Sequence, residues 1–197
     1  MSIQAMNEQI DRAFGASVSP ELAATVKHIL AQRTNMGVMK LQKILYYVQG
    51  YSLAWTGKSP FPEAPEAWTN GPVYPQVRND AREGFFQANN ADVSILSEDT
   101  KAIIDAVVDS FRYNTGKQLA NLTHQEPPWI KARAGIPAQE RSNALVNVQD
   151  MLEYFLSDEC QQSVQQPDLT VEWETPSEEF LAAERQRWAK TLEILGR

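Results

Sequence analysis

Asn35 to Phe61 reads NMGVMKLQKILYYVQGYSLAWTGKSPF, a helical stretch that is apolar on almost every side. Leu41, Ile44, Leu45, Val48 and Trp55 fall on one face at helical spacing. Tyr46, Tyr47, Tyr51 and Leu53 widen that face well beyond an amphipathic stripe. A helix of this girth packs on several sides, so the stretch predicts a central strut, with Tyr46 and Tyr47 reaching polar partners at its margin. Gly57 is placed to end it in the left-handed conformation. The prolines of KSPFPEAP (58–65) exclude its continuation. Lys40 and Lys43, three apart, share a face at its start. They read either as a solvated edge or as an anchor for acidic groups.

Working outward, Ser19 and Pro20 predict the start of a preceding helix that ends near Arg33. After the strut, EAWTNGPVYP (66–75) predicts a short extended piece, Glu66 to Thr69, and an Asn70-Gly71 turn. Pro75 starts a helix to about Glu83, and Val93 to Leu96 reads as a short strand. Ser97 to Tyr113 is a capped helix carrying Ile103, Ile104, Val107, Val108 and Phe111. Thr115 caps a shorter helix, a further turn starts at Pro128, and residues 143–157 read as helical. From Asp158 to Glu179 there are seven acidic residues and no Lys or Arg. Thr175-Pro176-Ser177-Glu178 signals a last helix. The expected fold class is mainly α: a compact bundle of about seven helices with a minor short β-hairpin. The expected organisation is a tail (1–18), a helical domain (19–157), an acidic linker or arm (158–175) and a C-terminal helix (176–197).

The formal net charge of -7 argues against sequence-independent binding of nucleic acid, which needs a basic stripe. One cysteine, Cys160, excludes an intramolecular disulfide and fits a reducing cytoplasm. No window approaches ~18 uninterrupted apolar residues, so no membrane span is expected.

Enzyme chemistry finds little purchase. His28 reads as a partly buried helix histidine. His124 lies in THQEPPW (123–129), but one cysteine cannot complete a deaminase-type zinc site. DECQQS (158–163) offers no basic group to activate Cys160. Phosphate-binding loops and nucleophile elbows do not occur. No cofactor and no metal are expected. Trp68, Trp129 and Trp173 fall on loop or edge positions, as loop anchors or as interface hot spots.

Three separated motifs, MKLQKILYYVQGYSLAWTGKSPF (39–61), EAWTNGPVYPQV (66–77) and LANLTHQEPPWIKAR (119–133), occur in this order. Together they resemble the Panacea domain, met in phage-associated GepA-like proteins and in SocA-like proteolytic adaptors. The matching scaffold positions are Lys40, Leu41, Lys43, Tyr46, Tyr47, Gly71 and Pro72. The resemblance implies an antitoxin that neutralises a cognate protein toxin by direct contact. The alternative it implies is an adaptor that delivers the toxin to a AAA+ protease of the ClpXP type. A metal-free hydrolase built on His124 and Glu126 ranks third. Trp68, Tyr74, His124, Glu126, Trp129 and Trp173 are the candidate partner contacts, and the acidic arm is expected to steer and cover a basic toxin.

Overall fold

A computed structural model describes residues 18–32, 36–137 and 139–170. The expected N-terminal tail (Val18 apart), the last helix and Trp173 lie outside the described residues. Among them are nine α-helices and one small antiparallel sheet, so the protein is mainly α.

Helix α1 is Pro20–Gln32. Ser19 caps it, its Oγ accepting from Leu22 N at 3.1 Å, while Glu63 holds the serine from across the fold. Helix α2, Val38–Thr56, is the strut: every residue from Leu41 to Leu53 is buried, and Trp55 with them. Gly57 ends it at φ 69°, its N–H donating to Leu53 O at 3.0 Å. A helix enclosed all round has little water for its polar side chains, and most of them bond internally. Gln42 does so by pairing with the backbone of Tyr74, and Gln49 by reaching Ser59, Glu63 O and the Tyr74 hydroxyl.

The hairpin follows at once. Strands β1 (Glu66–Trp68) and β2 (Gly71–Val73) pair antiparallel around Thr69-Asn70. The Val93–Leu96 strand expected from the sequence is instead a 3-10 turn, Val93–Ile95. Asp92 caps that turn by accepting from Ser94 N, a local side-chain bond that competes with an extended backbone.

Helices α3 (Pro75–Arg82) and α4 (Phe86–Asn90) come next. The sequence pattern does not mark the second. Its start is held by buried Asp80, whose two carboxylate oxygens accept from Gln87 N and Ala88 N at 2.8 and 3.0 Å. Helices α5 (Glu98–Ser110), α6 (Gly116–Thr123) and α7 (Pro127–Ala132) agree with the sequence within a few residues. Thr115 and Gln118 form a full capping box on α6.

The expected helix over 143–157 begins only at Val148, as α8, Val148–Phe155. The preceding residues are claimed by the free edge of β1. Ala67 N donates to Ala144 O and Val146 N to Pro65 O, both at 2.8 Å. Asn147 then caps α8.

The acidic segment opens as a short helix, α9 (Asp158–Gln161), docked on the strut. Cys160 and Val164 are buried, the Tyr51 hydroxyl donates to Cys160 O at 2.8 Å, and Trp55 Nε1 donates to Gln161 Oε1 at 2.7 Å. Farther on, Thr170 is tied to Asp99 of α5. Helices α1, α3, α5, α6 and α8 all pack on α2, so the core is a sleeve around it.

Candidate protein-docking site

The scaffold motif is an interlock at the start of α2. Lys43 is 1% exposed, and its ammonium donates to Pro72 O at 2.8 Å. Burial pulls its pKa from 10.5 down to about 7. The solvated-edge reading of Lys43 is therefore wrong: its charge lies under the hairpin, held by a backbone carbonyl. Lys40 stays near the surface and donates to Arg112 O at 3.0 Å. Gly71, at φ 93°, sits where a Cβ would lie 2.6 Å from Thr123 Oγ1 and 2.7 Å from Lys43 Cε. Only glycine meets both the conformation and the space.

Tyr46 and Tyr47 are core residues rather than marginal ones, at 0% and 3% exposure. Tyr47 stacks on Phe111 and donates its hydroxyl to Glu126 Oε1 at 2.7 Å. Burial lifts the Glu126 pKa from 4.5 to about 7, against the pull of the Tyr47, Tyr46 and Tyr154 hydroxyls. The same carboxylate and the same burial push the Tyr47 phenol well up.

Of the candidate contacts, Tyr74 is fully enclosed, its hydroxyl on Gln49, and it presents nothing to a partner in this conformation. Glu126 and Trp129 are also buried. Trp129 organises the region below the hairpin. Its Nε1 donates to Trp68 O at 3.0 Å, His124 stacks on it at 4.3 Å, and the Arg133 guanidinium lies 5.1 Å from its ring centre. His124 is half-buried; burial first, then the Lys43 charge, holds its pKa below the ordinary value. His124 faces Trp129 while Glu126 is bonded to Tyr47, and no hydrogen bond joins the two. They do not assemble as an acid–base pair. Trp68 is half-buried, with Nε1 on Glu66 Oε2 at 2.6 Å and the Arg78 guanidinium 5.2 Å from its ring centre.

Two side chains that matter here went unmarked in the sequence. Arg133 is buried and donates to Ala67 O, Pro137 O and Glu140 O, each at 2.8 Å, tying β1 to the loop beyond α7. Gln42 fixes Tyr74. For Gln42 the signal was present: a polar residue inside a helix apolar all round has to be bonded. For Arg133 there was none, since its partners are backbone atoms distant in sequence.

Two of the concave surfaces border these elements. One, of about 830 Å³, lies between the start of α2, the hairpin, α3 and residues 141–143; Lys43, Trp68, Arg78, Arg82 and Arg141 line it. The other, of about 580 Å³, lies beside Tyr47, Glu126, Tyr154 and Cys160. Burial raises the Cys160 thiol to about 11, so it is an inert packing residue. Among the described residues no cluster of side chains suits a metal ion, and no helix is long and apolar enough to cross a membrane.

The described body is thus a helical sleeve whose buried polar groups hold a hairpin in place. The family model of the antitoxin SocA-like, Panacea domain matches residues 41–130. That span takes in most of the three motifs, so the resemblance drawn from them holds. A family so described points to a protein partner, such as a toxin, and to a role other than catalysis. No curated protein and no solved structure matches the chain.

Proposed function

We propose that the protein is a cytoplasmic antitoxin that neutralises a cognate protein toxin by direct, stoichiometric contact, and that it is not an enzyme. The observation that carries this reading is the family match over residues 41–130. The interior is consistent with it. Lys43, Gln42 and Arg133 use their polar atoms on the protein's own backbone, which fixes the hairpin before any partner arrives. A preorganised surface loses less conformational entropy on binding.

The test is co-expression with the product of the adjacent gene. Restored growth and a co-purifying complex are expected; toxicity unchanged by the protein, with no complex, overturns the reading. The adaptor alternative predicts that the toxin's half-life falls in protease-competent cells and recovers when the protease is deleted.

The acidic arm is tested separately. Cutting after Leu156 removes buried Cys160 and Val164 and confounds the result, so the cut belongs after Thr170. Full rescue by that shorter chain takes Glu172, Glu174, Glu178 and Glu179 out of the mechanism.

A further inference from the structure

Four cationic side chains converge on the larger groove: Lys43, Arg78, Arg82 and Arg141. None forms an ion pair with a carboxylate of the described residues. Glu66 lines the same groove, but its carboxylate accepts from Trp68 Nε1. Lys43 uses one of its three donors on Pro72 O and lines the groove with a buried ammonium. Such a concentration of unpaired positive charge stands out in a chain of net charge -7. Val38 and Met39 add an apolar rim, 37% and 46% exposed.

We infer that this groove docks an acidic segment of the protein partner, its carboxylates meeting Arg78, Arg82 and Arg141 and an apolar side chain resting on Val38 and Met39. The inference rests on the antitoxin reading and names the chemistry of what the antitoxin grips. Charge complementarity selects an anion, and the partly apolar rim suits a peptide better than a bare phosphate group. The groove is open-sided and built from several elements, whereas small-molecule sites enclose most of their ligand.

The experiment titrates the full-length protein with the purified product of the adjacent gene, by calorimetry at two salt concentrations. Arg82 and Arg141 are exposed, so Arg82→Glu, Arg141→Glu and the double variant leave the core intact. Lys58→Glu, in the exposed turn after α2, is the charge control, and thermal melts confirm that each variant folds.

The double variant is expected to raise Kd about tenfold or more and to flatten its salt dependence, with the control unchanged. An unchanged Kd in the double variant overturns the inference and leaves the antitoxin reading standing. A wild-type protein that does not bind overturns both. Pyrophosphate is the second probe. Its saturable binding to the wild type, lost in the double variant while partner affinity is unchanged, assigns the groove to a phosphate ligand and overturns the peptide.

Discussion

Gly71 shows how much can rest on one hydrogen atom. Its φ of 93° and the close approach of Thr123 and Lys43 leave no room for a side chain. Gly71→Ala is expected to cost about 1–3 kcal/mol, read as a lower denaturation midpoint at unchanged m-value. Two buried ionisable groups shape the pH response. Glu126 titrates at about 7 in the folded protein rather than 4.5, so the folded state holds its proton more tightly. Its contribution is most favourable in acid and is lost as pH rises from about 4.5 through 7. Lys43 is the converse: folding lowers its pKa from 10.5 to about 7, so its contribution improves as pH rises from 7 toward 10.5. Together they predict a shallow minimum in stability near neutral pH. Each limb is worth at most about 1.4 kcal/mol per pH unit. Glu126→Gln should flatten the acid limb and Lys43→Met the alkaline one, in urea melts from pH 4.5 to 10.

At the scale of elements, the aromatic ladder of α2 depends on what closes over it. The Phe155 ring lies edge-on to Tyr46 and Tyr51, and Gly50 gives it space, since a Cβ there would run into the ring. Phe155→Ala should cost about 3–5 kcal/mol. Helix α9 completes the cover through Cys160, Gln161 and Val164. A chain cut after Leu156 is therefore expected to melt well below one cut after Thr170. Equal melting of the two would mean that α9 adds nothing to the core. The elements that sequence periodicity located well, α2, α5 and α6, are those with a local cap or a long apolar pattern. Two of those it misplaced took their form from partners outside the element. Residues 144–146 lie extended because β1 offers them hydrogen bonds, and α4 starts where Asp80 supplies its cap.

For the whole molecule, packing of five helices on one buried strut predicts that the described body unfolds as a single cooperative unit. Tryptophan fluorescence, to which Trp55 in the core and Trp129 under the hairpin contribute, should change at the same denaturant concentration as far-UV ellipticity. Two separated transitions would place the hairpin region outside that unit. Sequence alone determined that the protein is mainly helical, that the helix carrying Leu41 to Trp55 is its centre and which family its motifs resemble, because apolar periodicity, prolines, glycines and caps act over a few residues. It could not tell that Lys43 is buried under Pro72, that Tyr74 and Glu126 are interior, or that four cations share one groove. Those facts depend on which backbone carbonyls, carboxylates and rings arrive from elsewhere in the chain, and only the tertiary structure brings them together.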